Sequence, residues 1–290
     1  MRSWLFAPGD SERKIAKAIT SEADIALLDL EDSVMPAKKP EARTLVAAAL
    51  NEAADRARIW VRINPLDTPE AVLDLTAIMP AAPGGLFLPK AEGAHHVTQL
   101  HHYLTALEAA QGFTLGSTSI AALITETPGA MYTTREYAED YPGRERLVGL
   151  SWGAEDLSSA LGATAQCGPD GEYAHVYELA RSLCLLAAVN AGVAPIETVQ
   201  PEFRDLDALK ARAKACRAAG FRGMLAIHPA QIAPINAAFT PGDAEIAHAR
   251  SVVRAFADNP GAGAIAIDGA MLDRPHLALA ERLLAEAGEA

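Results

Sequence analysis

Ionisable side chains recur at one kind of position in this sequence, directly after a short apolar run. One such residue has an ordinary explanation, because any strand that leaves a core reaches polar sequence. Six runs that end this way indicate a shared site. The residues at the six ends are Asp29 with Glu31 and Asp32, then Arg62, Lys90, Glu126, Glu155 with Asp156, and His228. Hard oxygen donors in this number suit Mg²⁺, which usually takes one or two protein carboxylates.

Glu126 and Asp156 are the best candidate pair of metal ligands. They follow consecutive apolar runs, so they would be neighbours on the rim of a barrel. Asp156 is also a good candidate for a helix N-cap before Leu157, and the two interpretations are compatible. The same helix start offers free backbone N–H groups around Ala154, and these would bind a substrate carboxylate.

Arg62 is a candidate for a fixed cation that binds a carboxylate or stabilises a developing enolate oxygen. The alternative is a buried salt bridge to the acidic end of the run before it. We expect Asp29, Glu31 and Asp32 to orient Arg62, Lys90 and metal-bound water rather than to hold the metal.

The first helix carries three cations, Arg13, Lys14 and Lys17. They form either a solvated face or a binding surface for the phosphates of a large cofactor.

Composition excludes several classes of protein. The chain has 290 residues, half of them hydrophobic, and a net charge of −12, so a basic nucleic-acid footprint is missing. We find no apolar run of about 18 residues for a membrane helix and no signal-peptide core. Three widely spaced cysteines predict neither a disulfide framework nor a zinc site, and a cytoplasmic location is the simple expectation. Gly-rich nucleotide loops and GxSxG are absent from the sequence.

The elements that would position these residues alternate regularly. Helical segments separate eight apolar runs that read as strands, which predicts parallel βαβ units and, at eight strands, a closed (β/α)8 TIM barrel. An open doubly wound sheet is the alternative. The predicted strands are Ser3–Ala7, Asp24–Glu31, Arg58–Asn64, Gly84–Lys90, Ser119–Glu126, Arg146–Trp152, Pro195–Val199 and Phe221–His228.

The last fifty residues read as an addition to the barrel. We expect residues 1–240 to form the catalytic barrel and 241–290 to form a C-terminal arm of two helices around a Gly-rich joint and a short strand. The arm is either a lid that contributes to a neighbouring subunit's site or a helical pad on the outside of the barrel.

An ordered set of short motifs spans nearly the whole chain. Together these motifs resemble the citrate lyase β-subunit-like family of the HpcH/HpaI superfamily, which includes malyl-CoA and citramalyl-CoA lyases. They are Arg2–Asp10 (RSWLFAPGD), Leu28–Val34 (LDLEDSV) with Lys39 and Arg43, Val61–Asn64, Pro89–Lys90, Glu126–Pro128, Gly153–Leu157, Ala226–Gln231 and Met271–Pro275. The run at Ile196-Glu197 departs from the family, whose members usually have Asp and then Tyr there.

The resemblance implies a (β/α)8 barrel, Mg²⁺, a CoA-thioester substrate with a small keto acid, and a homotrimer or hexamer. Matched position by position, it implies the following roles: Glu126 and Asp156 as metal ligands, Arg62 facing the substrate, Phe6, Arg13, Lys17, Ile227 and His228 contacting CoA, and Asp273 as an acid/base on an arm from a neighbouring subunit.

The function that follows as a hypothesis is Mg²⁺-dependent cleavage of a 3-hydroxy-carboxyacyl-CoA to acetyl-CoA and a 2-keto acid. The alternatives are a citrate lyase β subunit acting on an acyl-carrier-protein thioester, a malyl-CoA-type thioesterase, and a CoA-independent keto-acid aldolase. We expect neither nucleic acid nor membrane as a partner.

Overall fold

A closed eight-stranded barrel dominates the structure, a computed structural model that describes residues 1–290 except Asp170, Asp268 and Ala290. The strands pair in parallel in chain order, and the first pairs with the eighth. The predicted (β/α)8 barrel is therefore confirmed and the open sheet is wrong. The strands are β1 Ser3–Pro8, β2 Ile25–Asp29, β3 Ile59–Arg62, β4 Gly85–Leu88, β5 Ser119–Leu123, β6 Leu147–Ser151, β7 Ala194–Glu197 and β8 Gly223–Ala226.

Helices connect consecutive strands. The α-helices of this part are α1 Glu12–Ile19, α2 Lys39–Glu52, α3 Pro69–Ile78, α4 Ala94–Gln111, α5 Ala154–Leu161, α6 His175–Asn190, α7 Leu206–Ala219 and α8 Ile232–Phe239. Short 3-10 turns lie at Pro36–Lys38, Met79–Ala81, Gly129–Tyr132, Thr134–Ala138, Arg144–Arg146 and Pro229–Gln231. Among the described residues, we find no helix with the length and apolar character needed to cross a membrane.

Aromatic side chains fill part of the barrel core. The rings of Trp4 and Trp60 meet edge to face with centroids 5.0 Å apart, and Phe87 lies 5.9 Å from Trp4. Gly85 is required beside them, because a Cβ there would come within 2.6 Å of the Trp60 ring. Interiors packed in this way resist deformation, so the strand ends are held at fixed positions.

Two local expectations were wrong. The sequence of residues 129–138 predicts an α-helix, but the structure has two 3-10 segments there. The Thr133 hydroxyl donates to the Ala130 carbonyl, a local bond that competes with an α-helix. The helix that contains Asp156 begins at Ala154 after Gly153, so Asp156 lies in its first turn and is not the N-cap. The sequence also predicts Asp205 as the N-cap of α7, and its side chain does accept from the Ala208 N–H at 2.9 Å.

The chain divides into two compact units, Met1–Asn236 and Ala237–Ala290. The second unit contains helix α9 Asp243–Asp258, an antiparallel pair of strands, β9 Ala264–Ile267 and β10 Ala270–Asp273, and helix α10 Arg274–Glu286. It has its own apolar core, which includes Val252, Phe256 and Leu284. The division at residue 240 and the role of the arm stay predictions.

Candidate active site

The carboxyl ends of neighbouring strands bring the predicted residues together. Asp29 ends β2 and lies opposite Arg62, which ends β3. Lys90 follows β4 by two residues, and Glu126 follows β5 by three. Because all eight strands are parallel, these residues share one rim of the barrel.

Arg62 is held by two acids of the preceding strand end. Its Nε and Nη2 donate to the two oxygens of Asp29, both at 2.7 Å, and its Nη1 lies 2.9 Å from Glu31 Oε2. Its guanidinium carbon lies 4.8 Å from the centre of the Phe6 ring. A guanidinium has five N–H donors, and the hydrogen bonds to Asp29 use two of them, so donors remain for a ligand.

The acids beside Arg62 fix its charge. Burial alone would lower the pKa of Arg62, but the carboxylates of Asp29, Glu31 and Glu126 raise it above its ordinary value. Burial would raise the pKa of Asp29, yet the Arg62 charge holds it below its usual range. Both interpretations of Arg62 are therefore compatible: it forms a buried salt bridge and still presents donors.

Lys90 joins four carboxylates at the rim. Its Nζ lies 2.5 Å from Glu31 Oε1, 3.2 Å from Asp32 Oδ2 and 3.3 Å from Asp156 Oδ1. Its backbone N–H donates to Glu126 Oε2 at 2.5 Å. Burial would lower the pKa of Lys90, but the hydrogen bond and charge of Glu31 raise it above its ordinary value.

Glu126 is buried, with 3% of its surface exposed, as are Asp29 at 1% and Glu31 at 2%. Burial raises its pKa well above the ordinary value, and the charges of Glu31 and Asp156 act in the same direction. Gly153 makes room for it, because a Cβ at Gly153 would come within 3.1 Å of Glu126 Cγ. The Gly153 position therefore seats the Glu126 carboxylate against the start of α5.

The donor chemistry here fits a hard divalent cation. The charge of Asp156 helps to raise the pKa of Glu126, and a bound cation would offset that repulsion. Within the described part of the chain, no three His, Cys, Asp or Glu side chains form a complete ligand set.

A polar network beneath the rim was missed by the sequence reasoning. Lys39 Nζ donates to the Leu30 and Glu31 carbonyls and to Asn64 Oδ1, at 2.9, 3.1 and 2.5 Å. The buried Asp74 accepts from the Asn64 backbone N–H at 2.8 Å. These bonds tie the loops after β2 and β3 together. A buried acid on the apolar face of α3 is the one signal that could have revealed this network.

A cavity of about 820 Å³ opens beside this rim. Its lining includes every residue predicted to contact CoA, together with Arg62. The lining residues are Leu5, Phe6, Ala7, Pro8, Arg13, Lys14, Lys17, Ala18, Thr20, Ser21, Asp29, Ser33, Arg62, Val199, Ile227, His228 and Pro229. Lys14 adds a third cation beside Arg13 and Lys17.

The surroundings of Asp273 and Glu197 differ from those of the rim residues. Asp273 belongs to the second unit, where it precedes α10 and its Oδ1 lies 2.5 Å from His276 Nδ1. Glu197, at the departure from the family pattern, is fully buried and accepts from Trp152 Nε1 at 2.8 Å and Arg181 Nε at 2.7 Å. It anchors α6 to β7 rather than lining the cavity.

Comparisons with known proteins agree with the predicted resemblance. The HpcH/HpaI aldolase/citrate lyase family matches residues 2–229. A citrate lyase subunit beta-like protein of Mycobacterium tuberculosis is 36% identical over 287 residues, 99% of this chain and 96% of that protein. A (3S)-malyl-CoA thioesterase of Cereibacter sphaeroides is 35% identical over 295 residues, 99% of this chain and 94% of that protein.

Solved structures give the same result. The crystal structure of protein CitE from Mycobacterium tuberculosis, in complex with magnesium, acetoacetate and coenzyme A, has a TM-score of 0.82 at 35% identity and covers 99% of this chain and 98% of its own. A citrate lyase beta subunit of the same organism, complexed with oxaloacetate and magnesium, has a TM-score of 0.71 at 34% identity and covers 82% of this chain and 96% of its own. The chain is therefore an enzyme of the HpcH/HpaI aldolase/citrate lyase family.

Proposed function

We propose that this enzyme is a Mg²⁺-dependent lyase that cleaves a 3-hydroxy-carboxyacyl-CoA to acetyl-CoA and a 2-keto acid. One observation carries the proposal: the cavity that contains Phe6, Arg13, Lys17 and His228 also contains Arg62, which contacts the carboxylate cluster. A thioester whose CoA part fills the cavity would present its acyl group to that cluster.

The cations of α1 support a phosphorylated substrate. Arg13, Lys14 and Lys17 are exposed at the cavity wall, where they would pair with CoA phosphates. A free keto acid needs neither this volume nor these charges, so the cavity favours a thioester over the CoA-independent aldolase.

Glu126 and Asp156 would hold the metal ion. Magnesium accompanies keto acids or CoA in solved relatives, and the carboxylates here have the matching chemistry. When bound, Mg²⁺ supplies Lewis-acid polarisation of the substrate oxygens. The N-terminus of α5, from Ala154, would hold the substrate carboxylate through its backbone N–H groups.

Arg62 would stabilise the negative charge of the enolate, and Asp273 would transfer the proton. The substrate 3-hydroxyl would give its proton to the ionised Asp273 as the carbon–carbon bond breaks, and the electron pair of that bond would pass to the acetyl-CoA enolate. The enolate oxygen would accept from N–H groups of Arg62 that Asp29 does not bind. Asp273 would then return the proton to the enolate carbon, or remove it in the condensing direction. Closure of an arm that carries this acid would exclude water from a reactive enolate.

The arm also motivates the proposed assembly. If Asp273 serves the site of a neighbouring subunit, the active form is an oligomer, and we propose a homotrimer or hexamer in the cytoplasm.

Thioester hydrolysis is a second candidate, because the relative from Cereibacter sphaeroides is a (3S)-malyl-CoA thioesterase. In that case water would intercept the thioester, and free CoA would accumulate. A citrate lyase β subunit that acts on an acyl-carrier-protein thioester would bind the carrier's phosphopantetheine but would not need the α1 cations for CoA phosphates.

Binding of CoA tests the thioester part of the proposal. Acetyl-CoA should raise the unfolding temperature of the wild-type protein, because a ligand that binds only the folded state stabilises it. Lys17→Glu should weaken the binding by about tenfold or more, since it reverses a charge at the cavity. Lys214→Glu, on the exposed face of α7 outside the cavity, is the matched control. No stabilisation of the wild type by CoA esters would refute a CoA-thioester substrate.

A further inference from the structure

Lys90 contacts the candidate metal ligands in two different ways. Its backbone N–H donates to Glu126 Oε2 at 2.5 Å, and its ammonium lies 3.3 Å from Asp156 Oδ1. One residue therefore reaches both carboxylates that would hold the cation. The ammonium also contacts Glu31 and Asp32, so it lies where the negative charge of the rim is concentrated.

The backbone of Lys90 is in a conformation that a lysine rarely adopts. Its φ is +50°, in the left-handed region, and among the described non-glycine residues it shares a positive φ with Ala82 alone. For an L-residue this conformation is unfavourable, because the Cβ comes too close to the following carbonyl oxygen. Such a conformation persists where surrounding contacts fix it, and such positions cluster at functional sites. Here the fixing contacts are the carboxylates themselves.

We infer that Lys90 is a positioning residue whose ammonium holds Asp156 in the metal-free enzyme and competes with the divalent cation for it. The inference rests on the proposed metal site at Glu126 and Asp156. Without a cation, Lys90 offsets part of the negative charge of the cluster and holds Asp156 at the rim. When the cation binds, the ammonium releases Asp156 and keeps its bond to Glu31.

The charges determine the direction of the effect. A cation of charge +2 near Asp156 is repelled by an ammonium a few ångströms away, and even at an effective dielectric of about 20 this repulsion is substantial. Loss of the Lys90 charge should therefore tighten the binding of the cation. If Lys90 served the fold alone, or if it assisted metal binding, its replacement would weaken the binding of the cation.

The test is a calorimetric titration of the metal-free protein with Mg²⁺ alone. Lys90→Met removes the charge, keeps the side-chain length and leaves the backbone N–H for Glu126. We expect its dissociation constant for Mg²⁺ to fall by about tenfold or more, a change of about 1.4 kcal/mol. Lys90→Arg keeps the charge and should stay within about threefold of the wild type. If the unfolding curve of Lys90→Met shows that this variant does not fold, Lys90→Gln is used instead.

The outcomes separate this inference from the proposed function. Unchanged or weaker Mg²⁺ binding in the neutral variant would overturn the competition, and so would equal tightening in Lys90→Arg. The proposed metal site fails if the wild type does not bind Mg²⁺, or if Asp156→Asn binds Mg²⁺ as well as the wild type does. In either case the inference about Lys90 fails with it.

Discussion

Replacement of Asp29 by Asn should separate the positioning of Arg62 from the binding of CoA. Asp29 is 1% exposed and accepts four hydrogen bonds: two from Arg62 and one each from the backbone N–H groups of Glu31 and Ser33. An amide keeps one acceptor oxygen and places an NH2 group against a donor. Arg62 then loses its two-point contact and shifts.

The expected magnitudes follow from these contacts. Breaking one side of a buried ion pair costs about 3–5 kcal/mol, and Glu31 remains as a second partner of Arg62, so we expect a loss of about 3 kcal/mol in the free energy of unfolding. A misplacement of about 1 Å at a reacting group costs about 100-fold in rate. The kcat of Asp29→Asn should fall by about that factor, while the KM for the CoA thioester changes little, because the α1 cations are untouched.

Steady-state kinetics and urea unfolding measure both effects. Asp24→Asn is the matched control: Asp24 precedes the same strand at its other end, pairs with Arg2 and is partly exposed. It should leave kcat unchanged. A folded Asp29→Asn enzyme with kcat within about threefold of the wild type would refute the positioning of Arg62 by Asp29.

Three further predictions concern the metal, the arm and the core. Glu126→Gln should abolish saturable Mg²⁺ binding in calorimetry. Mg²⁺ binding by the wild type should strengthen as pH rises, because the raised pKa of Glu126 makes the proton a competitor of the metal ion. Binding that does not depend on pH would contradict this. Asp273→Asn should bind Mg²⁺ but not turn over, and mixing it with Arg62→Ala should restore activity if subunits share sites. Glu108→Gln should cost about 3–5 kcal/mol in urea unfolding, because it leaves Arg146 buried without its carboxylate.

The last of these effects has a defined pH window. The pKa of Glu108 falls from 4.5 to about 2 in the folded state; burial opposes this shift, and the Arg146 hydrogen bond causes it. A lowered folded pKa gives stability that is present above the unfolded value and is lost as pH falls toward about 2. The difference between wild type and Glu108→Gln should therefore shrink below about pH 4.5. A difference that does not depend on pH would show that packing, not charge, causes the loss.

The barrel and the shared edge of three site residues could be predicted from the sequence. Apolar runs of strand length, each followed by a helix, allow few topologies, and parallel pairing then puts Asp29, Arg62 and Glu126 at one edge. The alternatives for Arg62 needed coordinates, because the register opposite Asp29 decides which of its donors are free.

Other features depend on contacts between segments that are distant in sequence. The left-handed backbone of Lys90 exists because Glu126, 36 residues later, accepts its N–H, and no local pattern encodes that bond. Glu197 ends a strand like the residues of the site, but its side chain meets Arg181 and Trp152 instead. The strand register decides to which side an acid at a strand end points. The sequence alone could therefore not distinguish an acid of the site from a buried structural acid such as Glu197.

Product analysis with the wild-type enzyme tests the central claim most directly. Malyl-, citramalyl- and citryl-CoA would each be incubated with Mg²⁺ or with a chelator, and acetyl-CoA, 2-keto acid and free CoA would be quantified together. We expect acetyl-CoA and 2-keto acid in equal amounts from at least one thioester, and only when Mg²⁺ is present. Free CoA with intact hydroxy acid as the only products, or carbon–carbon cleavage that persists in the chelator, would contradict it.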